Sequence, residues 1–290
     1  NYSGLFKLLN KISQKEGHPI NKIFEIIHVT KQFGTLPFAN LARCAFISIS
    51  FLESMVEKNI ISSNEKSAFL NSISSVTTEI NNMLYDKKVS LFLKKFGHLR
   101  PNTYDIITPN YRENFHEYFS DKKYSFVKHR KFIFNKKQEK LIEFYLKKTN
   151  LNIELEEFIL FLKKSIYHRE YSKLYFTKGI DLIFLELTKI FKSLNINKNN
   201  ICFVNIKDIL NLYNNFNHYY VIDEIKKIIK INKKNYQLNK TFNLPSIINS
   251  SLDMIMSTEP NVLPTFISTK VVNAEKVYLR KNFNINFFPF

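Results

Sequence analysis

Two arginines, a histidine, an aspartate and two tyrosines crowd into one short stretch, FGHLRPNTYDIITPNYREN, residues 96–114. The whole chain has six arginines, so Arg100 and Arg112 are a local concentration. A guanidinium fork matches the planar oxygens of a carboxylate or phosphate, and an imidazole such as His98 can carry a proton near neutral pH. Pro101 and Pro109 push Arg100 and Thr108 toward extended backbone. Asn102 can take a left-handed conformation that most residues refuse. The expectation is an ordered loop that begins where a helix ends at Gly97 and holds His98, Arg100, Tyr104, Asp105 and Arg112 together. On residue chemistry alone two roles stay open for it. It could be an anion-binding wall, or Arg100 and Arg112 could pair with Asp105 or Glu113 to lock the loop while His98 caps a helix.

The elements that would position this loop are helical. Phe38, Leu41, Ala42, Ala45, Phe46, Ile49, Leu52 and Val56 recur at three- and four-residue steps, and residues 62–64 offer an N-cap for a second helix carrying Phe69, Ile73, Val76 and Ile80. A short helix over 90–96 has Lys94 and Lys95 in its last turn and Gly97 just beyond, the composition of a helix exit. Further helices are expected over 136–148, 154–176, 179–194, 206–213 and 218–232, separated by asparagine-rich breaks. Near the end, ISTKVVNAEKVYL turns β-branched and short, which reads as strand. The predicted fold is therefore mainly α: a helical domain over 1–260, then a short β-containing segment, 261–290, that begins a following domain. The chain reads as part of a longer protein.

Composition narrows the function classes. Average usage of about 7% Gly and 5% Pro would give roughly 20 and 15 residues, against 5 and 8 here; tight hairpins are correspondingly scarce. Cys44 and Cys202 sit in apolar stretches without metal-ligand spacing, so both are expected as buried thiols in a reducing, cytoplasmic compartment. No uninterrupted apolar run approaches the roughly 18 residues of a membrane span. The formal charge of +18 invites polyanions, but lysines outnumber arginines 37 to 6 and accompany abundant Asn, Ile, Phe and Tyr, the signature of an AT-rich coding sequence. The basic, aromatic run 121–140 is the best polyanion candidate. There is no GxxxxGK[ST] phosphate loop, no GxGxxG, no HExxH and no zinc-type Cys/His set, so neither a metal site nor a nucleotide site is expected within the chain.

One resemblance goes further. The stretch GHLRPNTYDIITPNY resembles the GHLRPGTYDI…SPRY segment of phosphoenolpyruvate-synthase-like, dikinase-type phosphotransferases. PFANLARCAFISISFLESMVEKNIIS (37–62), REYSKLYFTKGID (169–181) and INKNNICFVNIKDIL are similar to other blocks of that group, and LPSIINSSLDMIM with PTFISTKVVNAEKVYL resembles the approach to its phosphohistidine domain. Asn102 stands where the family pattern has Gly, and Asn110 where it has a basic residue. The resemblance implies the central region of an ATP- and Mg-dependent enzyme, with an ATP-grasp domain upstream, a swivelling phosphohistidine domain downstream and a small-molecule acceptor. It implies His98 as a catalytic group, Arg100, Arg112, Tyr104, Arg43 and Arg169 as substrate ligands, and Gly97, Pro101 and Asp105 as structural residues. The alternatives are a basic helical nucleic-acid-binding protein, using 122–140 and 226–240, and a non-catalytic interaction domain.

Overall fold

The computed structural model describes residues 2–128, 130–212 and 218–241. Eleven α-helices are described: α1 Tyr2–Gln14, α2 Pro19–Thr30, α3 Leu36–Glu57, α4 Ser63–Asn71, α5 Val76–Tyr85, α6 Val89–Phe96, α7 Phe115–Phe119, α8 Lys136–Lys148, α9 Leu155–Ser193, α10 Ile206–Leu212 and α11 His218–Asn239. Among the described residues there is no strand, and the fold is mainly α as the periodicity predicts. The expected β segment and the expected boundary near residue 260 lie outside the described residues. One compact unit runs from Asn1 to Asn232; of a second, beginning at Lys233, the described part is 233–241.

The spine of the first unit is α9. Its 39 residues make a rod about 58 Å long at 1.5 Å per residue. The sequence suggests a break between 176 and 179, yet the helix runs straight through Gly179. That glycine serves contact: a Cβ there would meet Thr30 Oγ1 at 2.0 Å, and one on Gly34 would meet Phe176 Cβ at 2.8 Å. Two glycines thus let α9 press against the junction of α2 and α3, where any side chain would push the helices apart. The junction itself, Lys31–Thr35, is a π-helical turn. Pro37 supplies the reason. In an unbroken α-helix its ring would collide with the carbonyl of Phe33, and a widened turn relieves the clash.

That turn makes Pro19–Glu57 one helical run, long and apolar enough by composition to cross a membrane, with a mean hydropathy of 1.4 over its best window. The sequence reading, which looked for uninterrupted apolar residues, did not find it. In this fold its Ile20, Ile23, Ile26, Ala45, Leu52 and Met55 are core, while Phe24, Phe33, Leu36, Phe46 and Ile47 are exposed.

Four apolar clusters form along α9. Its first turns hold Phe158 and Leu162 against Leu52, Phe69, Ile142 and Leu146; its middle holds Tyr171 and Leu174 against Leu84, Phe92 and Phe96. Its last turns gather Leu187, Ile190 and Phe191 with Ile23, Ile201, Ile209 and Ile225, and α1 adds Leu5, Leu9 and Ile12 packed with Ile26. Each fully buried Phe or Leu contributes on the order of 1.5–3 kcal/mol.

The predicted second helix is in fact two. Ser72–Ser75 break it, and Ser75 caps α5 by accepting from Thr78 N. Ser62 and Glu65 form a capping box at α4, and Asn135 and Gln138 form another at α8. The two boxes are joined, because Gln138 Nε2 donates to Glu65 Oε1 at 2.8 Å. The Ser62 amide, Gln138 and the Ser62 hydroxyl together hold the Glu65 carboxyl below the usual range. Asn150 and Asn195 end α8 and α9 with φ of 55°, the left-handed exits that asparagine tolerates. Cys44 is half-buried and Cys202 exposed, contrary to the expectation of two buried thiols. Cys44 lines an open hollow between α3 and α9, which leaves it partly uncovered, and Cys202 lies on the 3₁₀ turn Lys198–Phe203 with its thiol donating to Asn199 O.

Candidate functional site: a buried cationic corner on α9

α6 ends at Phe96, and the chain turns a corner before α7. Gly97 is needed there for space, not for a left-handed φ. Its φ is −59°, but a Cβ would lie 2.3 Å from Leu93 O and 3.2 Å from an Arg112 guanidinium nitrogen. The corner closes like a clasp: Tyr111 N donates to Leu99 O at 2.7 Å and Arg112 N donates to Gly97 O at 3.0 Å. Aromatic packing fixes both of its ends, with Tyr111 stacked on Phe92 and Phe115 and Phe119 set edge-on against the same ring.

Inside the clasp Asp105 organises the backbone. It accepts from Ile107 N at 2.9 Å and from Thr108 Oγ1 at 2.6 Å, and the Thr108 hydroxyl is the main reason its carboxyl sits below the usual range. Asn102 is not among the described residues with positive φ; its carbonyl accepts from Asp105 N instead. Pro101 is exposed at the bend, and Ile106 is buried in the apolar cluster with Leu187, Ile190 and Phe191.

Arg100 is 8% exposed and fully engaged. Its guanidinium donates to the carbonyls of Asp105 (3.3 Å) and Thr108 (3.2 Å), forms an ion pair with Asp181 of α9, and lies over the Phe184 ring. In this arrangement Arg100 ties the corner to α9. The partner is Asp181, not the Asp105 or Glu113 considered from sequence.

His98 is 4% exposed, and its Nε2–H donates to Leu174 O at 2.9 Å. Burial, reinforced by the nearby charges of Lys178, Arg112 and Arg100, pushes it down to about 4. The ring is therefore uncharged at neutral pH and acts as a hydrogen-bonded strut. It neither caps a helix nor titrates near pH 7, which corrects both sequence-based expectations.

Asp181 and Lys178 were not singled out from sequence, and Asn110 was noted only as a departure from the family pattern. Asp181 is 3% exposed, and burial holds its carboxyl above the usual range although Asn110 and Arg100 pull it down. Its signal was an acid embedded in the apolar run GIDLIFLEL. Asn110 is 2% exposed; its Nδ2 donates to Asp181 Oδ1, its Oδ1 accepts from Glu113 N, and Glu113 Oε2 accepts from Asn110 N. That reciprocal pair was readable as Asn-x-x-Glu, the capping-box pattern. Lys178, three residues before Asp181, is half-buried with its ammonium 3.8 Å from the Phe6 ring centre. Burial and then the charge of Arg112 lower it.

The corner thus gathers Gly97, His98, Arg100, Asp105 and Arg112, with Asp181, Asn110 and Lys178. Tyr104 is in the same loop but 68% exposed. Arg43 and Arg169 form a separate group. Arg43 donates to Asn40, and Arg169 lies over Phe46 of α3 with Glu170 4.0 Å away. Along α9, Arg169 is about 18 Å from Asp181. Among the described residues no group of three or more His, Cys, Asp or Glu side chains could hold a metal ion. Neither a protein-family model, a curated protein nor a solved structure matches the chain.

Arg112 and Lys178 are the two cations here with no ion-pair partner among the described residues. Arg112 is exposed and donates only to Leu93 O in its side-chain bonding. The buried carboxylate of the corner, Asp181, is committed to Arg100 and Asn110. An anion arriving between Arg112 and Lys178 would relieve their mutual repulsion.

Proposed function

We propose that the chain forms the helical central region of a phosphoenolpyruvate-synthase-like phosphotransferase, and that the corner on α9 receives the anionic acceptor or the travelling phosphoryl group. The observation that supports this most is that Arg112 and Lys178, neither of them in an ion pair among the described residues, are held beside an uncharged His98 by a corner that Arg100 and Asp181 make rigid. Electrostatic stabilisation of a transferring phosphoryl group needs preorganised cations that do not rearrange. Arg112 would orient oxygens as a fork, Lys178 would add a second positive charge, and His98 would hold the loop at its distance from Leu174. Arg100 is then a positioning residue. ATP and Mg belong to the upstream nucleotide domain of the parent enzyme, and the histidine that carries phosphate to the downstream one; both domains would meet this region in the cytoplasm.

The test uses the full-length parent protein. Arg112→Ala and Lys178→Ala should each lower phosphoryl transfer to the acceptor by tenfold or more, while labelling of the carrier histidine from ATP persists and the melting temperature barely moves. Unchanged acceptor turnover in both variants would sink the reading.

A further inference from the structure

A basic hollow lies on the N-terminal half of α9. An open cleft of about 500 Å³ is lined by Ser72 and Ile73 from the α4–α5 turn, Lys131, Phe132 and Ile133 from the segment before α8, and Lys163, Lys164, Tyr167 and His168 from α9. We propose that this cleft binds a nucleoside phosphate. From His168 to Lys178 is about 15 Å along the helix, so the cleft is separate from the corner and does not depend on the reading given to it.

Charge is the first reason. Lys131, Lys163 and Lys164 converge from two elements, none makes an ion pair among the described residues, and no acidic side chain lines the cleft. An adjoining hollow shares Lys164 and His168 and brings in Glu157, which leaves the balance positive. A concave wall of one sign focuses its field on an anion. Lysine, as a mobile point charge, suits the several oxygens of a phosphate chain.

The rest of the wall suits a flat, weakly polar body. Tyr167 stacks on Tyr171 with ring centres 4.3 Å apart, a stack that a planar base can extend, and His168 stands edge-on to Tyr167. Ile133 is 80% exposed although its neighbours Phe132 and Phe134 pack on Phe69. A base seated beside Ile133 would cover apolar surface that the fold leaves in water. The volume falls within the range of roughly 300–1,000 Å³ typical of small-ligand sites. That volume accommodates one nucleotide.

The experiment titrates the 290-residue chain with orthophosphate, AMP, ATP and a short single-stranded oligonucleotide at physiological salt. ATP and AMP should saturate, with ATP tighter. Lys131→Glu and Lys164→Glu, both at exposed positions, should each weaken ATP about tenfold or more without shifting the melting temperature, and Arg112→Ala should leave ATP binding unchanged. Absence of saturation, orthophosphate binding as tightly as AMP, or an oligonucleotide preferred over ATP would each overturn the proposal.

Discussion

Residues 97–112 and residues 121–135 are both irregular, both carry cations and aromatics, and both lie on the same helical scaffold, yet they treat their charges in opposite ways. The first segment buries Arg100 against Asp181 and His98 against a helix carbonyl. The second is held down through its backbone: Asn82 bonds Val127 on both its N–H and its carbonyl, and Asn81 donates to Ser125 O. Phe132 and Phe134 anchor its end on Phe69. Its Lys122, Lys123, Lys128, Arg130 and Lys131 remain exposed. A basic stretch in sequence therefore carries no fixed physical meaning. Where a buried acid waits on a neighbouring helix, the cation becomes structure; where backbone bonds do the holding, the cation stays in solvent and is available to a ligand.

The contrast can be broken most sharply at Arg100. Arg100→Met removes the ion pair and leaves Asp181 in the core with Asn110 as its remaining partner, and denaturant unfolding should show a loss of about 3–5 kcal/mol. Adding Asp181→Leu should restore most of it, since an apolar pair of similar volume often replaces a buried ion pair without cost. If Arg100→Met alone is neutral, the corner is not locked as described.

His98 gives the next effect. Its folded-state value of about 4 lies below the ordinary 6.5, so between those values the unfolded chain binds more protons. Stability is then fully present above pH 6.5 and falls as the pH drops toward 4, by on the order of 3 kcal/mol. Asp181, held above the usual carboxylate range, works the other way and offsets part of that loss once the pH reaches its own titration. Unfolding at pH 7 and pH 5 compared between the native chain and His98→Gln should show the acid sensitivity only in the native chain. An equal slope in both would remove His98 as the cause.

The smallest effect is expected on the other side of the comparison. Lys123→Ala and Lys128→Ala, both on exposed positions, should change stability by less than about 0.5 kcal/mol. A larger change would mean that the connector too uses its charges to hold itself down.

Much of the helical scaffold was legible, and for a definite reason. Helix periodicity and capping chemistry are local, so α8 falls on 136–148 as its pattern predicts, and Asn150 and Asn195 end helices where asparagine runs begin. Gly179 misled for the complementary reason. A glycine signals a break when only neighbours along the chain are weighed, but Thr30 from another helix needs its missing side chain. The candidate site was half legible. The proline-bracketed corner and its cations could be named, whereas the partner of Arg100 sits on α9, eighty-one positions away.

Local preference, set by backbone sterics and side-chain pattern within a few residues, determined that this chain is helical and that residues 97–112 turn a corner between helices. Only the tertiary arrangement decided which cations are neutralised, because desolvation and Coulomb attraction act through space. By placing Asp181 beneath Arg100 and leaving Arg112 and Lys178 outside any ion pair among the described residues, the packing of α9 converted a uniform basic excess into one rigid pair and two open charges.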